Sequence, residues 1–329
     1  MIRKIIDKSL EDETLTSEEI AKLFKTPFLS DESALIMAAG RRKAEKAARG
    51  KAEVHAQVGL NIAPCPRDCQ FCAFAGCNGL FKESSALTVE EVVERAEVFE
   101  NDGANAIYFM ATADYPFSRF IEYGREIRKQ LKPETIIVAN VGDFSAKQAG
   151  EMRDAGFSGI YHAVRLREGV DTKIPPENRL ESFRNAKHAG LKLGTCLEPV
   201  GPEHTVEELV EKTLITRDAE PVYSGSARRI FLPGTEIEKR GVVSEGRMGL
   251  YVAIVRLALP CSVPGNCTHE PNKIGTMSGA SLLWAESGSN PRDTEENTEG
   301  KRGMTVGECR RIFEEAEFEV LNGPSKYFS

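Results

Sequence analysis

From about residue 54 onward the chain alternates between short apolar runs and longer stretches in which apolar residues return every three or four positions. The short runs predict strands. They are Val54 to Ile62, Ala106-Ile-Tyr-Phe-Met110, Ile136-Ile-Val-Ala139, Gly159-Ile-Tyr-His162, Leu191-Lys-Leu193, Arg229-Ile-Phe-Leu232, a weak segment near Ser262, and Leu282-Leu-Trp-Ala285. The longer stretches predict helices. One is opened by Thr88-Val-Glu-Glu91 and ends near Gly103; others cover 117–131, 145–155, 177–189, 205–217 and 247–259, and a last one is opened by Thr305-Val-Gly-Glu308. Residues 1–50 read as a helical preface, with a capping box at Thr16-Ser17-Glu18-Glu19 and a second helix start at Asp31. Eight strands alternating with helices define an α/β chain and favour a (β/α)8 barrel, closed or slightly open, over a two-layer fold. The runs at 106–110 and 136–139 are apolar throughout, as parallel strands covered on both faces should be. The expected organisation is a helical extension over 1–50, a barrel over 51–290, and a loop and helix over 291–329 packing on it. The polar, turn-rich run from Ser287 to Gly303 predicts a long surface loop or lid.

Composition narrows the class. The 329 residues are 41% hydrophobic, enough for one large barrel, and 43 Lys plus Arg against 50 Asp plus Glu give a net charge of −7. That balance argues against steering toward nucleic acid. No apolar run is long enough to span a bilayer, and Met1-Ile-Arg-Lys-Ile-Ile6 leads into Asp7, Glu11 and Asp12 rather than a signal-peptide core. Eight cysteines are too few and too uneven for a secreted disulfide scaffold of this length. The expectation is a soluble cytoplasmic protein with reduced thiols.

Three of those cysteines carry chemistry. Cys65-Pro-Arg-Asp-Cys69-Gln-Phe-Cys72 places three thiols in a CxxxCxxC spacing just after the first strand, at the end of the barrel where such folds keep their active sites. Three thiolates hold a [4Fe–4S] cluster with one iron left free for another ligand. Pro64 and Pro66 stiffen the loop, and Phe71 and Phe74 supply apolar cover. The competing reading is a structural zinc knot with Cys77 or His55 as fourth ligand, although such sites more often pair cysteines as CxxC…CxxC.

With an aromatic before its last cysteine, this motif resembles the signature of radical S-adenosylmethionine (SAM) enzymes. Over roughly residues 25–290 the chain resembles the branch containing biotin synthase, a hydrogenase-maturation protein and the pyrrolysine-pathway mutase. The resemblance implies SAM bound at the unique iron and cleaved reductively to a 5′-deoxyadenosyl radical, which abstracts hydrogen from a small organic substrate in cofactor biosynthesis. It also implies a low-potential electron donor such as ferredoxin or flavodoxin. By the same resemblance the backbone of Met110, Ala111 and Thr112 receives the methionyl ammonium, within Tyr108-Phe-Met-Ala-Thr-Ala-Asp-Tyr-Pro116. Arg165 is matched to the SAM carboxylate and Glu168 to the ribose, within Tyr161-His-Ala-Val-Arg-Leu-Arg-Glu168, with Arg167 able to displace either. Phe71, Asn140 and Ile230 complete the expected cofactor-binding set, Ile230 by packing on adenine. Gly194-Thr-Cys-Leu-Glu-Pro-Val-Gly201 matches the segment that lets the chain approach the adenosyl group.

The chain departs from biotin synthase where that enzyme holds its auxiliary cluster. The corresponding places carry Phe109 and Val138 or Ala139, Cys196 is displaced by about two residues from the third, and His269 or Glu270 stands near the missing arginine. Cys196, Cys261 and Cys267 are instead a candidate second iron–sulfur site, with Cys77 and Cys309 as further thiols. If they hold a cluster, sulfur insertion of the biotin or lipoyl kind is the alternative reaction. If not, carbon-centred chemistry in cofactor assembly is favoured, and the Trp284-Ala-Glu…Asn290-Pro-Arg-Asp293 ending resembles the biotin-synthase-like protein of iron-hydrogenase cofactor biosynthesis. Glu198, His162 and Glu286 are the candidate reacting groups, and Arg292 a candidate for a substrate carboxylate against a solvated role. A noncatalytic iron–sulfur carrier is the reading from a different class; it needs no SAM cavity.

Overall fold

The computed structural model describes residues 1–328. Eight parallel strands close on themselves: β1 (Lys51–Gly59), β2 (Ala106–Met110), β3 (Ile136–Asn140), β4 (Gly159–Tyr161), β5 (Lys192–Gly194), β6 (Tyr223–Arg228), β7 (Gly265–His269) and β8 (Leu282–Gly288). Each pairs with the next, and β8 returns to β1 over the full register Glu53↔Leu282 to Gly59↔Gly288. Helices between the strands cover the outside, so the fold is the (β/α)8 barrel expected.

Side chains alternate across the barrel wall. Val54, Ala56, Val58, Ile107, Phe109, Ile137 and Ala139 face outward into one core with Val92, Phe120, Ile127 and Phe313 of the surrounding helices. The other set faces in and is polar at the strand ends nearest the cavity, with Gln57 on β1, Asn140 after Val138 and Glu286 after Trp284. The preface is three helices, α1 (Ile2–Leu10), α2 (Ser17–Phe24) and α3 (Asp31–Ala47). Ile5, Ile20, Leu23, Ile36 and Ala39 bury against Leu250, Ala253, Ile254 and Leu257 of the helix Glu245–Ala258. Reciprocal caps start helices as the sequence predicts at Thr16/Glu19, Thr88/Glu91 and Thr305/Glu308, and also at Thr205/Glu208.

Two strands lie away from their expected places. The sixth is Tyr223–Arg228 rather than 229–232, and the seventh is Gly265–His269 rather than near Ser262. Tyr223-Ser-Gly-Ser-Ala-Arg228 has no apolar run because the barrel is tight there: a Cβ on Gly225 would lie 2.0 Å from the Cys267 carbonyl oxygen. At the opposite end of the strands, the C-terminal tail enters the barrel. Tyr327 and Phe328 are buried, the Tyr327 hydroxyl lies 3.0 Å from Ser281 Oγ, and Glu53 accepts from the Lys326 N–H at 2.7 Å and from the Ser325 hydroxyl.

Candidate active site

The carboxyl ends of the strands open into a cavity with about 1330 Å³ of empty space, its solvent-facing mouth included. The loop after β1 lies across it. Gly59 passes so close to the segment after β8 that a Cβ there would lie 1.8 Å from the Ser289 carbonyl oxygen, and Ala73 N–H donates to Pro291 O at 2.8 Å. Within the loop, Cys65 N–H donates to Phe74 O at 2.7 Å, Gly76 N–H to Cys65 O at 3.0 Å and Cys72 N–H to Cys69 O at 2.8 Å. Asn78 Nδ2 adds bonds to the carbonyls of Gln70 and Cys72. The three cysteines are therefore held by backbone bonds that do not depend on their sulfurs.

Cys65, Cys69 and Cys72 all line the cavity, with Phe71, Phe74, Met110 and Ile230 around them. Burial pushes all three thiols up, Cys69 to about 11 and Cys72 to about 12, so they ionise only against a cationic partner. Their sulfurs are not gathered around a single-ion position. Metal–sulfur bonds of about 2.3 Å put the sulfurs of a tetrahedral zinc site roughly 3.8 Å apart. Among the described residues, the one group of three His, Cys, Asp or Glu donors drawn within 4.8 Å of one another is Asp171, Glu203 and His204. Those acids already pair with Arg167, Arg229 and Arg240. Neither fourth ligand suggested for zinc joins the cysteines. His55 is buried inside the barrel between Glu53 at 2.8 Å and the Tyr108 hydroxyl at 3.1 Å, and Cys77 is exposed with its N–H on Asp68.

The expected SAM segments converge on the same space. Met110, Ala111, Thr112, Asn140, Arg165, Glu198 and Ile230 all line it. Asn61 and Thr112 exchange two hydrogen bonds, Thr112 N–H to Asn61 Oδ1 at 2.9 Å and Asn61 Nδ2 to Thr112 Oγ1 at 2.8 Å, which fixes the segment after β2. Asn140 Nδ2 donates to Gln57 Oε1 at 2.9 Å. Arg165 Nε lies 3.6 Å from Glu198 Oε1; burial opposes its charge, but Glu198, Glu168 and Cys69 more than offset this and raise its pKa. Glu286 on β8 also lines the cavity, and burial pushes its carboxyl up to about 7.

Three of the expected positions lie away from the cavity or from one another. Glu168 does not reach the cavity: it accepts from Arg165 N–H at 3.0 Å, the Thr172 hydroxyl at 2.7 Å and Arg179 Nε at 3.3 Å, so it braces the Arg165 backbone from behind. His162 likewise sits behind the wall, 2.9 Å from Asp143 and against Phe144 and Phe183; burial depresses it to about 4, so it stays neutral. The three-cysteine second site is not assembled. Cys196 and Cys267 lie inside the barrel with sulfurs 2.8 Å apart, whereas Cys261 precedes β7 at the other end of that strand, its N–H on Asp12 at 2.8 Å. Cys309 belongs to the outer core. Sequence reasoning missed Gln57, Asn61 and Arg179. Gln57 carried a signal, the last of the alternating polar positions Glu53, His55 and Gln57 along the first strand.

Comparison with known proteins agrees with this geometry. The sequence profile of the Radical SAM superfamily matches residues 63–213. A biotin synthase of Anaplasma marginale is 25% identical over 283 residues, covering 82% of this chain and 86% of its own. A biotin synthase of Hahella chejuensis is 29% identical over 185 residues, covering 54% and 50%. Among solved structures, methylornithine synthase (PylB) superposes with a TM-score of 0.79 at 15% identity, covering 98% of each chain. HydG, a maturase of the [FeFe]-hydrogenase, gives 0.79 at 18%, covering 95% of this chain and 74% of its own. These two likenesses establish the shared barrel.

Over residues 63–213, a little under half of its length, the chain is similar to the Radical SAM superfamily. That similarity is to a family of enzymes and implies radical SAM catalysis with a [4Fe–4S] cluster and SAM. No helix among the described residues is long and apolar enough to cross a membrane.

Proposed function

We propose that the barrel mouth binds one cluster and one SAM, and that the chain uses them on a small organic substrate in a cofactor-biosynthetic step without inserting sulfur. The observation that carries this is the convergence of the three-cysteine loop, the ends of β2 and β3, and Arg165 on a single cavity. When bound, the cluster supplies an electron and SAM the deoxyadenosyl group that takes a hydrogen atom from the substrate. Cys65, Cys69 and Cys72 would hold the cluster, and Phe71, Phe74 and Ile230 would exclude water from it. Arg165 is placed to hold the SAM carboxylate, and the Met110–Thr112 segment to take its ammonium. Glu198, 3.6 Å from Arg165, would orient that guanidinium or meet a SAM hydroxyl. Glu286, which lines the cavity, is the candidate proton-handling group. Residues 51–290 act as the catalytic barrel, with 1–50 and 291–329 closing its side and ends. A ferredoxin- or flavodoxin-class protein is the expected electron donor.

The likeness to biotin synthases supports small-molecule biosynthesis, while the scattered cysteines weigh against a sulfur-donating second cluster. The test is anaerobic reconstitution with iron and sulfide counts, followed by deoxyadenosine formation from SAM with a strong reductant. About four irons, unchanged in the Cys261→Ala/Cys267→Ala variant, supports the reading. About eight irons falling to four would restore sulfur insertion. Iron without deoxyadenosine would favour a carrier.

A further inference from the structure

The β6–β7–β8 third of the barrel mouth, facing the strands proposed for SAM, carries a separate and unused recognition surface. Arg228 ends β6, His269 ends β7, Trp284 stands on β8 and Arg292 follows it; all four line the cavity. Three N–H donors there, Arg228 Nε, Arg292 Nη2 and Trp284 Nε1, are buried with no hydrogen-bond acceptor among the described residues. A buried donor without an acceptor loses its hydration and gains nothing in return, so three in one concave site point to a missing ligand with acceptor oxygens.

The local charges agree. Arg228, Arg292 and Arg302 all turn toward Glu270: Arg228 at 3.0 Å, Arg292 at 3.5 Å and poorly aligned, and Arg302 in close contact. The half-exposed Glu245 reaches Arg228 at 3.5 Å, which still leaves three guanidinium groups against two carboxylates. His269 adds no charge, because burial beside Arg292 depresses its pKa well below the usual imidazole range; it accepts a bond from Arg292 Nη1 at 2.7 Å on Nδ1. Its ring stacks on Trp284 at 5.5 Å, giving the pocket a flat apolar wall beside the donors. Glu286 is the remaining acid in the cavity wall here, and burial holds much of it protonated near neutral pH.

We propose that the substrate is an organic carboxylate whose carboxyl group seats between Arg228 and Arg292 and accepts the Trp284 indole N–H. A single negative charge offsets the surplus guanidinium, and the four lone-pair positions of a carboxylate match three donors. The proposal rests on the reading of this cavity as the site of SAM-dependent chemistry, but it assigns a different wall and a different molecule.

The test uses the anaerobically reconstituted holoenzyme saturated with SAM. Emission of Trp284, the chain's one tryptophan, reports titration with acetate, butyrate, benzoate and 3-phenylpropionate, each against its neutral amide and against inorganic phosphate. At least one carboxylate should bind about tenfold or more tighter than its amide, the ratio a charge-assisted pair implies. Arg228→Gln/Arg292→Gln should remove that preference, read by equilibrium dialysis with the labelled acid. Trp284→Phe, which keeps the ring, should weaken the acid several-fold by the same dialysis. The proposal fails if no acid outbinds its amide, if phosphate binds tighter than every carboxylate, or if the double variant keeps the preference. The comparison of acid with amide on the unaltered protein needs no variant to fold. SAM cleavage without substrate, measured in parallel, belongs to the parent reading, so its loss and the loss of acid binding are told apart.

Discussion

The two ends of the barrel solve the same problem in opposite ways. At the end where the strands begin, Glu53 is buried, but its carboxylate takes His55 Nε2 at 2.8 Å, the Lys326 N–H at 2.7 Å and the Ser325 hydroxyl, and the tail seals the opening with Tyr327 and Phe328. At the end where the strands finish, three thiols line a cavity, and buried N–H groups of Arg228, Arg292 and Trp284 in its wall have no acceptor among the described residues. Buried polar groups that are satisfied make structure; those left open mark where something else binds. The difference separates changes that unfold the chain from changes that disarm it.

The sharpest division comes from the cysteines. Cys65→Ala, Cys69→Ala or Cys72→Ala should abolish cluster assembly, taking iron from about four per chain to near zero and deoxyadenosine formation down by roughly a thousandfold or more. Because the loop is held by backbone bonds and Asn78, thermal melting of the iron-free variants should match the iron-free parent. A melting temperature far below that parent would erase the contrast between the two ends.

The closed end should behave in reverse. Glu53→Ala strands His55, the Ser325 hydroxyl and the Lys326 N–H in the interior, a loss of about 3–5 kcal/mol by analogy with broken buried pairs. Removing residues 325–329 should cost several kcal/mol as well, since Tyr327 and Phe328 each bury a large side chain worth about 1.5–3 kcal/mol. Urea unfolding checks both, and iron bound per folded chain should stay unchanged.

The same contrast explains what the sequence reveals. The cysteine loop is legible because its chemistry is local: three ligands within eight residues, read without knowing the fold. The barrel is legible through strands that are apolar on both faces. Tyr223–Arg228 is hidden because a strand filled by its neighbours' side chains needs small residues, and small polar residues read as a loop. Glu168 and His162 fall near the right place in the chain but on the wrong side of the wall, since after a short strand the side-chain direction depends on how the loop turns. The donors lie at the end of β6 (Arg228) and on and just after β8 (Trp284, Arg292), far apart in the chain, and only closure of the barrel puts them together.

Arg179 lies between the two classes. It is buried, pairs with Asp143 at 3.0 Å and Glu168 at 3.3 Å, and lines the cavity without being part of the expected site. Through Glu168, which accepts the Arg165 N–H, it positions the proposed SAM clamp. Arg179→Gln should cost about 2–4 kcal/mol in stability, because it leaves two carboxylates short of a partner. It should also raise the KM for SAM more than it lowers kcat, since the guanidinium holding the cofactor is displaced rather than removed. A fall in kcat alone would mean that Arg179 touches the reacting groups.

The smallest effect is a pH slope from Glu286. Burial raises this carboxyl from an ordinary value of 4.5 to about 7, and the charge of Arg292 only partly opposes that. The folded chain therefore holds a proton that the unfolded chain releases between those values. Stability contributed by the protonated form is fully present below pH 4.5 and is lost as pH rises through about 7, amounting to on the order of 1–3 kcal/mol. Glu286→Gln keeps the shape and removes the titration, so the fall in urea stability between about pH 5 and pH 8 should flatten in the variant. Adding a carboxylate to the neighbouring arginines should push the Glu286 carboxyl higher still, moving the slope upward in pH, because a second negative charge in the cavity opposes ionisation. If the slope is indifferent to added carboxylate, the two groups do not share the open end.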